Sequence, residues 1–308
     1  MPRPVAIAAL GLMAALAGGL LLHGADGRPA PESCLASEDR PPAPGAGMVW
    51  IPGGRFTMGS EAFRPEEAPI RAVAVDSFWM DAEDVTNAQF ARFVRETGYV
   101  TLAERDAGAW VFAPPGAAGD SRDLGQWWQF VAGASWAHPE GPGSDLSGRQ
   151  NHPVVQIAFA DAEAYARWAG RELPTEAQWE FAARGGAEGE TFIWGNEPDT
   201  DDAPQANHWR GDFPTLDLGS KGYRGTSPVG CFPANGYGLY DMAGNVWQWT
   251  REPWTGDGQA PAYVIKGGSF LCAPNFCMRY RPAARQPGET SGGASHIGFR
   301  TVLARSNP

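Results

Sequence analysis

The chain has 308 residues, with 24 Lys and Arg against 35 Asp and Glu, a formal net charge of -11 at pH 7. That balance excludes nucleic acid as a partner, because phosphate binding needs clustered cations; an acidic surface suits a cationic peptide or serves solubility alone. Forty glycines, 27 prolines and 13 tryptophans describe turns held by large aromatic rings, and four cysteines are too few for a disulfide-dense scaffold.

Met1 to Arg3 make a basic start and Val5 to Leu22 carry no charge, which is an export signal placing the body in the periplasm or outside the cell. The length of the apolar run fits both a cleaved signal ending at Ala25 and an uncleaved anchor through residues 5–22. Residues 26–46 are polar and Pro-rich and read as a tether, leaving 47–305 as one folded body.

The body opens with apolar runs on either side of Pro52-Gly53-Gly54, which reads as a hairpin. Thr86-Asn87-Ala88-Gln89 has capping-box spacing, so a helix follows with Phe90, Phe93 and Val94 on one face and Gly98 as its stop. A second helix is expected from Asp161, with Tyr165, Trp168 and Ala169 buried and Gly170 at its end. Thr175-Glu176-Ala177-Gln178 caps a third, with Trp179 and Ala182 inward and Gly185-Gly186 terminating it. From Thr191 onward the chain alternates short apolar runs with Gly, Pro and Asn, which predicts loops and brief strands. No repeat period is visible, so the fold class is α+β, one irregular domain with little regular secondary structure.

Cys272 and Cys277 are five residues apart, a spacing that separates side chains in a helix or a strand. Ala273-Pro274-Asn275-Phe276 between them has the residues of a β-turn, which folds the sulfurs together. A structural disulfide fits this, and so does a soft, low-coordinate ion such as Cu(I); a zinc site lacks a second Cys or His pair.

Several segments together resemble formylglycine-generating enzymes of the sulfatase-modifying-factor family. They are Gly267 to Arg281 with Ala283-Ala284-Arg285, Gly298-Phe299-Arg300, Trp127-Trp128, His138 to Pro142, Leu173 to Glu176, Asn235 to Tyr240 and Gly244 to Trp249. These motifs also occur in inactive relatives and specify fold more than reaction, so the paired cysteines are the discriminating feature. The resemblance implies a C-type-lectin-related domain and a copper-dependent oxidase that converts the cysteine of a Cys-x-Pro-x-Arg sulfatase segment to formylglycine, with molecular oxygen and a thiol reductant. It implies Cys272 and Cys277 as Cu(I) ligands, Ser269 beside the reacting groups, Trp247 as a wall of the oxygen pocket, and Trp127, Phe276 and His296 at the substrate peptide. The competing reading is a non-catalytic peptide- or protein-binding module in which the two cysteines form a permanent disulfide.

The resemblance also implies two structural calcium ions, and the chain departs from the pattern at both sites. Asn207 is kept at the first, but Lys221 stands where an aspartate would ligate, and an ammonium group has no lone pair to give. At the second, Asp241, Gly244 and Val246 are kept, and Gln248 replaces a carboxylate. At most one Ca2+, near Asp241 and Gln248, is therefore expected.

Overall fold

A computed structural model describes residues 47–114, 127–219, 222–255 and 261–304. The export segment and tether lie outside the described residues, as do Cys34 and Lys221.

Strands β1 (Met48–Ile51) and β2 (Gly54–Met58) do not form the expected hairpin with each other. β1 pairs antiparallel with β4 (Phe78–Asp81) and β2 with β3 (Arg71–Val75), in the same register on either side of a gap, from Met48 opposite Asp81 to Ile51 opposite Phe78 and from Gly54 opposite Val75 to Met58 opposite Arg71. The Pro-Gly-Gly element is thus an interruption in one long arm. A Cβ on Gly53 would lie 2.7 Å from the Ser77 nitrogen, so glycine is needed where the opposing arm presses in.

Helix α1 (Asn87–Thr97) has the predicted capping box at Thr86 and Gln89 and ends at Gly98 with φ of 67°. A short helix α2 (Leu102–Arg105), unforeseen from the sequence, uses a second box at Thr101 and Glu104. Helix α3 (Phe159–Trp168) starts two residues before the expected position: Asp161 is its third residue, and its carboxylate accepts the Ala158 N–H at 3.0 Å. Helix α4 (Glu176–Arg184) matches its expected cap at Thr175 and stop at Gly185.

Beyond Thr191 the chain is mostly loop, as expected, with strands β7 (Trp247–Pro253), β8 (Ala262–Lys266), β9 (Arg285–Glu289) and β10 (Ile297–Gly298) forming a sheet in the order β10-β7-β8-β9. The final strand β11 (Val302–Ala304) returns to pair with β4, while β5 (Gly108–Phe112) and β6 (Trp128–Ala132) form a separate ribbon. Phe90, Phe93, Tyr165 and Phe299 centre one apolar cluster, which also takes in Trp247, Cys272 and Cys277. A second cluster packs α4 against the long β arm. The cysteine pair is therefore part of the core.

Candidate active site

The cysteines bracket a tight turn, as the Pro-Asn sequence predicts. The N–H groups of Phe276, Cys277 and Met278 all donate to the Ala273 carbonyl, at 3.2, 3.1 and 3.0 Å. This brings the two Cα atoms to 4.9 Å and joins the sulfurs as a disulfide, with both residues buried. Among the described residues, no group of three or more His, Cys, Asp and Glu converges in metal-binding geometry. Once reduced, the pair offers two buried thiolates without a hard ligand, a donor set that fits Cu(I) and fits neither zinc nor a histidine-carboxylate iron site.

Upstream, Gly267 and Gly268 have φ of 95° and 71°, and a Cβ on Gly268 would lie 2.8 Å from the Tyr280 nitrogen. The two glycines let the chain turn directly against the cysteine segment, and Ser269 follows fully buried. Its carbonyl accepts the Cys272 N–H at 2.9 Å and its Oγ accepts the Leu271 N–H at 3.2 Å, so the hydroxyl hydrogen remains available to the site.

Downstream, the segment is clamped by residues the sequence reading did not single out. Arg64 donates to the Phe276 carbonyl at 3.3 Å, Glu66 pairs with Arg279 at 2.5 Å, and Glu67 accepts two bonds from Arg281 at 2.8 and 2.5 Å. Arg281 and Glu67 are both buried, and the Arg281 guanidinium stacks over the Phe63 ring at 3.8 Å. The only available signal was that two arginines beside Tyr280 need acids, and a sequence does not say that Glu66 and Glu67 supply them from more than 200 residues away.

Trp127 and Phe276 do meet. Their ring centroids are 5.0 Å apart, edge to face, and Phe276 stacks on Phe213 at 4.5 Å. Trp127 is buried, whereas Phe276 is 42% exposed, so the cluster presents an open aromatic surface beside the cysteines. Trp128 faces the other way, against His296 at 4.6 Å, and these two help line a cavity of about 500 Å³. Burial drives the His296 pKa down to about 3, so its ring is neutral, and its buried Nδ1 has no hydrogen-bond partner among the described residues. The His296 carbonyl accepts the Trp247 N–H at 2.9 Å, which ties β10 to β7 and fixes Trp247 within the core that holds the sulfurs. His208, also missed, stacks on Tyr280 at 4.2 Å and contacts Asp199 at 3.0 Å; burial lowers its pKa and raises that of Tyr280 to about 12.

The Asp241 to Gln248 segment does not present the expected all-oxygen shell. Gln248 Oε1 accepts the Trp179 indole N–H at 2.7 Å and the Arg300 Nε–H at 2.8 Å, while Nε2 donates to the Asp241 carbonyl at 2.8 Å. Asp241 Oδ2 accepts the Gly230 N–H at 2.7 Å, and Oδ1 has no partner among the described residues. At the other expected calcium position, Asn207 donates to the Gly225 carbonyl at 3.0 Å and its Oδ1 has no partner among the described residues, outside which Lys221 lies.

The model of the sulfatase-modifying factor enzyme 1-like domain matches residues 35–305. The chain belongs to that family. The formylglycine-generating enzyme of Mycobacterium tuberculosis is 49% identical over 290 residues, covering 83% of this chain and 97% of that protein. That of Thermomonospora curvata is 47% identical over 279 residues, covering 82% and 92%. An inactive C-alpha-formylglycine-generating enzyme 2 of Mus musculus is 40% identical over 271 residues, covering 85% and 87%. Among solved structures, PvdO from Pseudomonas aeruginosa matches with a TM-score of 0.58 at 25% identity over 84% of this chain and 94% of that one. The sulfatase-modifying-factor fold is thus the one expected, and family membership alone spans active and inactive proteins.

Proposed function

We propose that the chain is an active formylglycine-generating oxidoreductase that converts the cysteine of a Cys-x-Pro-x-Arg segment in an exported sulfatase to formylglycine, with Cu(I) held by Cys272 and Cys277. The observation that carries this reading is the pair of sulfurs brought together on one buried turn, next to Ser269 and beside the open aromatic face of Phe276. The reaction consumes the substrate cysteine, one molecule of oxygen, two electrons and two protons, and releases the aldehyde, hydrogen sulfide and water; the electrons come from a thiol reductant. Copper supplies the redox chemistry at the two thiolates, and the protein supplies position and exclusion of water. Ser269 offers a hydroxyl hydrogen inside the site, Trp247 walls it, and Trp127 with Phe276 forms the surface for the peptide. Neutral His296, behind this surface, brings no charge to it. Export through residues 5–22 puts the enzyme in the compartment of its substrate.

The bonded cysteines and the inactive relative favour a second reading, a binding module with a permanent bridge. The test uses the full chain, mildly reduced, loaded with Cu(I) and given a Cys-x-Pro-x-Arg peptide and oxygen. The expected product is an aldehyde seen by mass change, lost completely in Cys272→Ala and in Cys277→Ala together with the Cu(I) affinity. Thiols that resist mild reductant, with no aldehyde formed, would establish the binding module.

A further inference from the structure

The segment Asp241 to Gln248 leads directly into Trp247 and is closed at its two ends by one side chain. Gln248 is fully buried, and the direction in which its amide points follows from its neighbours. The Trp179 indole N–H and the Arg300 Nε–H are obligate donors, so the atom facing both must be the oxygen. The NH2 group is left to face the Asp241 carbonyl, which it reaches at 2.8 Å. A carboxylate held by the same two donors would set its second oxygen against that carbonyl, and two acceptors face each other only with a cation between them. An amide in this place makes the link itself.

The local charge is balanced in the same way. Arg300 is fully buried and donates to the carbonyls of Asp81, Ala82 and Tyr240 at 3.1, 3.3 and 2.7 Å, and its Nη2 lies 3.5 Å from Asp84 Oδ1. A guanidinium and two amide hydrogens directed into the segment repel a hard cation, which requires six to eight oxygen ligands at close range. Asp241 Oδ1 and both Asp84 oxygens have no hydrogen-bond partner among the described residues, and the Arg300 guanidinium is the positive charge that these carboxylates already face.

We propose that Gln248 is a calcium-free lock: its amide replaces an ion by bonding Asp241 directly, and with Arg300 it holds the segment carrying Trp247 independently of any divalent cation. This stands whether or not the chain proves active, because its readouts are binding and stability.

The test compares the wild-type chain with Gln248→Glu, each stripped with EDTA and then titrated with Ca2+ while calcium content and thermal midpoint are measured. The wild type should hold no calcium at this segment, and its midpoint should not move with chelator or added Ca2+. In Gln248→Glu the carboxylate recreates the oxygen pair, so Ca2+ should bind and raise the midpoint by roughly 5 °C at saturation. A variant that folds only when Ca2+ is present supports the lock equally. A wild-type midpoint that falls on chelation and returns with Ca2+ overturns it, and so does a folded Gln248→Glu that binds no calcium. If the variant folds under neither condition, the wild-type titration decides alone.

Discussion

The two loops that frame the candidate site are fixed by opposite means. The cysteine turn is gripped from outside by ion pairs, Glu66 with Arg279 and buried Glu67 with Arg281, contributed by a segment more than 200 residues away. The Asp241 to Gln248 loop is closed from within by a neutral amide, with one buried arginine behind it. The difference matters because a buried ion pair depends on both partners. Removing one leaves an uncompensated charge, whereas a neutral hydrogen bond fails by degrees.

The largest effect should therefore come from the charged clamp. Glu67→Gln leaves the Arg281 guanidinium buried against a neutral amide, and such a loss costs about 3 to 5 kcal/mol. Denaturant unfolding should show this, and the Cu(I) affinity of the residual folded protein should fall as Cys277 loosens. On the other loop, Gln248→Met strands the Trp179 and Arg300 donors, at about 1 to 3 kcal/mol. Equal losses from the two variants would break the contrast between the loops.

Acid should separate the regions further. Burial pushes the Asp241 carboxyl in the Gln248 loop up to about 6, above an unfolded carboxylate, so that loop gains stability as pH falls, while the neutral His296 ring, against Trp128, works in the opposite sense. Its folded pKa, about 3, lies below the value near 6.5 of an unfolded imidazole, so the unfolded chain takes up the proton first. Stability from this group is complete above about pH 6.5 and is lost as pH falls toward the folded value, reaching at most about 2 kcal/mol by pH 5. His296→Gln, which cannot titrate, should lose less stability than the wild type between pH 7 and pH 5. Parallel losses in the two proteins would show that the folded ring titrates as it does in the unfolded chain.

What the sequence revealed and what it hid follow the same division. Capping boxes at Thr86 and Thr175 and the Ala273 to Phe276 turn are decided by neighbours within a few residues, and all three formed as read. The box at Thr101 is equally local, but its helix of four residues carries no apolar periodicity to announce it. The Pro-Gly-Gly hairpin failed because what opposes β1 and β2 is a distant arm with matching register, which no local signal carries. The clamp of the cysteine segment and the stack of Phe213 on Phe276 were hidden for the same reason. The consequence of Gln248 depends on two donors, Trp179 and Arg300, that only the fold brings to it.

The smallest effect concerns the open aromatic surface, where neither ion pairs nor a buried amide take part. Phe276 touches Trp127 and Phe213 and is otherwise exposed, so Phe276→Ala removes two ring contacts worth about 0.5 to 1.5 kcal/mol each and leaves the backbone turn closed on the Ala273 carbonyl. If the peptide lies on this surface, KM should rise by about tenfold, the equivalent of roughly one such contact, while kcat and Cu(I) affinity stay close to wild type. Phe276→Tyr keeps the ring and should restore KM. A fall in kcat at unchanged KM would instead mean that Phe276 shapes the cysteine turn itself, and would place the surface among the parts of the clamp.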